Sequence, residues 1–329
     1  MVSIKDIAKE CNVSITAVSR ALNNNKGISG KTREYILSVC EKRGYRPNSA
    51  ARSLILKKTN MVGLIIPDIT NPYYAFISKG VSAYLDKIGY GLILCNSDRN
   101  KENEKKYCEF LAQKRVDGII LIPIRFAKES YDVFIKNAIP LVLVDNYVND
   151  LNVSFITNDN YTGARKIVQH LIGRGYKRIG AILGDSASSA SNDRLRGYVD
   201  VLKENGIEID CALQIHSKAT FEDGVKYAKD LIDLHVDAIF AINDTVALGV
   251  FKYCFENGVN IPEDLGLAGY DDIEQAGMLS IPLTTVHQKK HIVGEKAAEI
   301  LINEINSPEL AKQKIIIQPE LIIRKSCGE

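Results

Sequence analysis

With 329 residues, 46% of them hydrophobic and 25% charged, the chain has the make-up of a globular protein of two or three domains, and no apolar run approaches the length of a membrane span. The net charge of +2 hides an asymmetry: residues 1–58 hold twelve Lys or Arg against Asp6, Glu10, Glu34 and Glu41, a surplus of +8, while the other 30 basic and 36 acidic residues leave −6. A basic end supplies phosphate-binding charge and the acidic body is held off a polyanion. Seven cysteines, odd in number, scattered and never in a CxxC pair, argue against a disulfide framework or zinc site and for reduced, mostly buried thiols. Met1 to Asp6 is no signal peptide, so a cytoplasmic location is expected.

In chain order, Ser3 to Cys11 is helical in period, with Ile4, Ile7, Ala8 and Cys11 apolar and Ser3 with Asp6 as a capping box. Asn12 tolerates a left-handed backbone and Ser14 can cap a second helix over residues 15–22. That helix turns Ala17, Val18, Ala21 and Leu22 inward and leaves Ile15, Thr16, Ser19 and Arg20 outward. Two short helices meeting at a tight turn form a helix-turn-helix, and short polar groups with one arginine fit a DNA major groove. A third helix is predicted from about Lys31 to Arg43, with Ile36, Leu37, Val39 and Cys40 inward and Gly44 as terminator. Pro47 then bars helix continuation, Asn48 can cap, and residues 49–56 are good helix formers too short to be stable alone.

The run IKDIAKECNVSITAVSRALN, followed by TREYI, GYRPN and AARSL, resembles the N-terminal headpiece of the LacI/GalR family of bacterial transcription regulators. The resemblance implies a DNA-binding headpiece over residues 1–46, a hinge helix and linker over 47–58, and an effector-binding and dimerisation core over 59–329. It implies that Ile15 and Thr16 read bases and that Ser3, Ser14, Ser19, Asn23, Ser29, Lys31 and Thr32 contact phosphates. Arg20 suits a guanine O6/N7 contact. In such a hinge, Asn48 caps, Leu54 is the apolar wedge between base pairs of the minor groove, and Ala51 lies beside it.

From Met61 apolar runs recur at residues 62–66, 92–95, 119–122, 141–144, 179–183, 238–242 and 265–268, separated by helical stretches such as Lys79 to Gly89, Asn160 to Gly175 and Asp244 to Gly258. Continuous apolar strands with helical crossovers mean parallel sheets covered on both faces. The pattern restarts near Asn158 to Gly163, which gives two doubly wound lobes with a ligand cleft at the carboxyl ends of the strands. This resembles the periplasmic-binding-protein-like core of the same family. An N-lobe of about 60–158 plus 291–318 and a C-lobe of about 159–288 plus 320–326 are expected, crossing near 158–161, 288–292 and 318–321.

At the strand ends, where the family's ligand contacts lie, stand Asp68, Asn71, Tyr73 and Tyr74, then Asp145 and Asn146, then Arg194, Asn243 and Asp271, with Gln288 at the second crossing. Tyr73 is expected to offer an aromatic plane, and Arg194 a forked donor for hydroxyls or a carboxylate. Two positions depart from sugar-binding relatives: Ala219 stands where an aromatic is usual, with Phe221 a substitute two residues on, and Asn146 replaces the arginine of ribose-type relatives. The set favours a mono- or disaccharide, with a nucleoside or purine second. Induction and co-repression both stay open, with induction favoured.

No GxGxxG, GxxxxGK[ST] or GxSxG signature occurs, and His170, His216, His235, His287 and His291 show no HExxH or comparable ligand spacing. No enzyme activity, cofactor or metal is expected. The reading is a homodimeric repressor on near-palindromic double-stranded operator DNA, with no membrane partner. The chain stops after a strand with no heptad tail, which favours a dimer. The competing reading is a cytoplasmic sugar- or nucleoside-binding protein without DNA function, which leaves the +8 headpiece unexplained.

Overall fold

The structure is a computed structural model describing residues 2–45, 58–124, 128–147 and 151–328. Asn48, Ala51 and Leu54 fall outside those residues. The chain divides into two compact units, Met1–Thr59 and Asn60–Glu329.

In the first unit, α1 (Ile4–Glu10), α2 (Ile15–Leu22) and α3 (Gly30–Lys42) each begin on a serine cap. Ser3 and Asp6 form the reciprocal capping box, and the Ala17 amide donates to Ser14 Oγ at 3.1 Å. Asn12 takes φ 52°, which lets α2 turn sharply out of α1. Ile7, Val18 and Ile36 are fully buried and share one small core with Ala8, Cys11, Ala21, Val39 and Cys40. Leu37, expected inward, is 41% exposed. The buried face of α3 runs through 36, 39 and 40, and residue 37 lies roughly 100° from residue 36 around the helix.

The second unit holds two parallel sheets. The larger runs β11–β5–β4–β3–β1–β2, with β1 Met61–Ile66, β2 Gly91–Asn96, β3 Gly118–Leu121, β4 Leu141–Val144, β5 Ser154–Asn158 and β11 Lys314–Ile317. Side-chain alternation on β1 divides its core. Val62, Leu64 and Ile66 meet α4 (Pro72–Lys87) and α12 (Lys290–Asn306) on one face. Ile65 joins residues of α5 (Lys101–Gln113) and α6 (Lys128–Lys136) on the other. The smaller sheet runs β7–β6–β8–β9, with β6 Ile179–Leu183, β7 Gln214–His216, β8 Ala238–Ala241 and β9 Gly266–Ala268. Its core is built with α7 (Asn160–Gly173), α8 (Ser189–Glu204), α9 (Phe221–Asp233), α10 (Asp244–Asn257) and α11 (Glu274–Met278). A two-stranded antiparallel ribbon pairs β10 (Thr285–His287) with β12 (Glu320–Ile322).

The chain leaves the first sheet after β5, returns between β10 and α12, and leaves again between β11 and β12. Helix α4 starts seven residues earlier than the expected Lys79. Asn71 caps it and Pro72 occupies its first turn, a favoured place for proline. Six of the seven free cysteines are buried and Cys211 is exposed.

Candidate functional site

The strands of both sheets aim their carboxyl ends at one cleft. It encloses a cavity of about 240 Å³ rimmed by residues of both lobes, among them Tyr74, Asp145, Asn146, Ser191, Arg194 and Asn243.

Part of that wall is a chain of buried polar groups that continues behind it. Tyr73 OH donates to Asp145 Oδ1 at 2.6 Å and lies 3.4 Å from Gln288 Oε1, and Gln288 Nε2 donates to Asp271 Oδ1 at 2.6 Å. The Asp271 carboxylate lies 3.8 Å from Arg194 Nη2. Arg194 donates through Nε to Asn160 Oδ1 at 2.8 Å and through Nη1 to the Ile242 carbonyl at 2.5 Å, with its guanidinium 3.7 Å from the centroid of the Tyr270 ring. Stacking and forked hydrogen bonding together fix the plane of the arginine. Gly163 makes room for Tyr270, since a Cβ there would lie 2.0 Å from the tyrosine oxygen.

Burial dominates the electrostatics. It pushes the Asp271 carboxyl up to about 6, with Arg194 and Lys290 pulling the other way. It raises Asp145 as well, against the Tyr73 hydrogen bond and Arg194. Asp244, fully enclosed beneath the cleft, is pushed up to about 8 by burial and by Asp271, although Thr285 Oγ1 (2.6 Å) and the Ile273 amide (2.9 Å) donate to it. Burial likewise lifts Tyr74 to about 12 and holds Tyr73 well above its usual value. Such groups favour uncharged hydrogen-bonding partners, because each further ionised group in a dry site adds a desolvation cost.

The structure brings Asn71, Tyr73, Tyr74, Asp145, Asn146, Arg194, Asn243 and Asp271 into the cleft lining. Tyr73 is there by its hydroxyl, with only 3% of its surface exposed, so its ring is a buttress. Arg194 has Nε and Nη1 hydrogen-bonded to the protein and Nη2 beside the Asp271 carboxylate, so its guanidinium is held in place within the lining. Asn243 caps α10 and donates to the Ala219 carbonyl at 3.4 Å. Gln288, wholly buried, stands behind the lining, and Phe221 and Asp68 are outside it. Asp68 accepts from Thr70 and lies 3.6 Å from Arg99. Ala219 forms part of the lining at φ 58°, where a β-branched or bulky residue is strained.

Sequence reasoning missed Arg99, Ser188, Ser191, Lys218 and Asp185 in the lining. All follow strand ends, so the same rule applied after β2, β6 and β7 finds them. Ser191 Oγ is buried with no hydrogen-bond partner in the protein, a group suited to a ligand.

On the headpiece, Ile15 is 44% exposed, and Thr16 and Arg20 share its open side of α2, with Ser19 half-buried. Asn23 Nδ2 donates to the Ser19 carbonyl at 2.8 Å. Ser3, Ser14 and Ser29 stand at the three helix N-termini, where free amides and the helix dipole favour anions. Ser29 pairs with Thr32 at 2.8 Å and Lys31 is exposed. Among the described residues no group of three or more His, Cys, Asp or Glu could hold a metal ion, and no helix is long and apolar enough to cross a membrane.

A helix-turn-helix with an open polar face, carried on the same chain as a two-lobed core with a polar cleft, defines a DNA-binding transcription regulator with an effector site. Residues 59–325 match the family described as periplasmic binding proteins and sugar binding domain of LacI family, and residues 3–48 match bacterial regulatory proteins, lacI family. The chain belongs to the LacI family. It is similar to the ribose operon repressor of Halalkalibacterium halodurans, 34% identical over 99% of this chain and 97% of that one. It is also similar to the HTH-type transcriptional repressor PurR of Pasteurella multocida, 32% identical over 99% and 98%. Among solved structures, a complex of the transcriptional regulator CelR with cellobiose superposes with a TM-score of 0.77 at 27% identity, covering 99% of this chain and all of that one.

Proposed function

We propose that the protein is a cytoplasmic, homodimeric repressor without catalytic activity, which binds a near-palindromic operator and changes its affinity for it when a small neutral sugar enters the cleft. The observation that carries the effector reading is the buried array Tyr73–Asp145 and Gln288–Asp271–Arg194 at the strand ends, held by the protein yet open on one side to a cavity of about 240 Å³. Groups fixed this way present carboxylate acceptors and the Arg194 guanidinium to ring hydroxyls without reorganising. The volume lies just under the usual range of ligand pockets, about 300–1,000 Å³, which suits a single ring better than an extended chain. The similar proteins named for ribose and bound to cellobiose support a sugar, with a nucleoside or purine second. On the DNA side, Arg20 reads a guanine, Ile15 meets a thymine methyl and Leu54 wedges the minor groove.

A thermal-shift panel of monosaccharides, disaccharides, nucleosides and purines tests the cleft. At about a hundred times its dissociation constant a ligand adds roughly 2.7 kcal/mol. A hit among free sugars is expected; stabilisation by none of the panel overturns the effector class.

A further inference from the structure

The position after Asp145 reaches across the cleft. Asp145 takes φ 65°, and the next side chain, Asn146, has partners in both lobes. Its Nδ2 donates to the Pro123 carbonyl at 2.7 Å, in the loop after β3. Its Oδ1 accepts from Ser188 Oγ at 2.7 Å, from Ser189 Oγ at 3.3 Å and from the Ala190 amide at 3.2 Å. Those three donors are the cap and first turn of α8, a helix of 16 residues. The carboxamide oxygen thus occupies the amide-rich, positive end of a C-lobe helix, where an acceptor is favoured.

The neighbouring residue repeats the link. The Tyr147 amide donates to Ser189 Oγ at 3.0 Å and its hydroxyl to Asp193 Oδ2 at 3.2 Å. The ring stacks on Phe155 of the N-lobe, with centroids 4.9 Å apart and planes 18° from parallel. Elsewhere on the rim, Arg99 Nη1 donates to the Lys218 carbonyl at 3.2 Å.

We propose that Asn146 is a latch between the lobes: a positioning residue that uses its carboxamide to tie the loop after β3 to the N-terminus of α8, holding the cleft closed around its ligand. This rests on the cleft reading above and gives Asn146 a different role within it. An amide at this position meets the geometry because it carries donor and acceptor on one rigid plane, one for each lobe. The latch lowers the ordering that a ligand must impose, so it acts on affinity through closure.

The test measures lobe separation directly in the full chain. A spin label on Cys211, the exposed cysteine of the C-lobe, is paired with one on a Glu102→Cys substitution at an exposed position in the first turn of α5 in the N-lobe, diluted with unlabelled chain so that each labelled dimer carries one pair. The expected result is a distance distribution that shifts to longer separation in Asn146→Ala. Ser188→Ala, which removes the shortest of the three donors from the other lobe, shifts it the same way, and the double variant shifts no further than Asn146→Ala alone. A helix cap with no role between lobes leaves the distribution of all three superimposed on the parent, and that result overturns the proposal. The readout needs no effector, so failure of the sugar panel leaves it standing, and an unchanged distribution refutes the latch whatever the cleft binds.

Discussion

Arg194→Met keeps most of the stem volume of a buried side chain and removes its charge and its hydrogen bonds. Arg194 is 7% exposed and Asp271 4%, so the substitution leaves Asp271 without its nearest cation and strips donors from the Ile242 carbonyl and Asn160 Oδ1. Breaking a buried pair from one side costs about 3–5 kcal/mol. At about 2–4 °C per kcal/mol for a core of this size, the melting midpoint falls by about 6–20 °C. The loss depends on pH. Asp271 already stands at about 6 with its arginine present, and without it the carboxyl is pushed further up. Between its unfolded value and that folded value the folded state holds a proton the unfolded state has released, so stability falls as pH rises, by at most about 1.4 kcal/mol per pH unit. Urea unfolding of parent and variant should therefore show a deficit at pH 8 larger than at pH 5, and adding Asp271→Asn should remove the difference. The same deficit at both pH values, or a loss under about 1 kcal/mol, refutes the electrostatic role given to Arg194.

Arg20→Ala should cost about 1–3 kcal/mol on operator DNA and relax preference at one base pair; fluorescence anisotropy showing equal loss on operator and random duplex removes the base-reading role. Leu54→Ala should weaken operator binding and leave effector binding unchanged, measured by anisotropy and calorimetry on the same protein, and unaltered operator affinity removes the wedge. Asp244 stands at about 8, above its unfolded value, so the parent loses stability as pH rises from 6 to 8. Asp244→Asn should flatten that segment of the urea midpoint curve, and an unchanged slope refutes the buried protonated carboxyl.

The headpiece was legible because its signals are local. Caps at Ser3 and Ser14, the left-handed Asn12 and the period of Ile7, Val18 and Ile36 are each set by residues within a turn or two of one another. Leu37 was misplaced because its neighbour Ile36 is apolar, and composition alone does not say which of two adjacent positions faces in. The long apolar strands were equally plain. The strands β5, β7, β10, β11 and β12 were not, since short runs such as Gln214–His216 gain their order from the strand beside them rather than from their own pattern. In the cleft, Asp145, Asn243 and Asp271 could be read from their place after apolar runs, whereas Arg99, Ser191 and Lys218 reach the lining through loops and a helix turn whose course over the cleft no local pattern marks. That Arg194 is held by Asn160 and Tyr270, and that Asn146 spans two lobes, depends on residues far apart in the chain.

In the proposed function one chain couples a DNA site to a cleft. The most direct measurement selects bound duplexes from a random pool and then titrates the enriched site by anisotropy with and without the sugar that stabilises the protein. A near-palindromic site is expected, and its affinity changes with sugar by the same factor by which operator DNA changes the affinity for sugar. No enriched sequence, or an operator affinity identical at zero and saturating sugar, contradicts it.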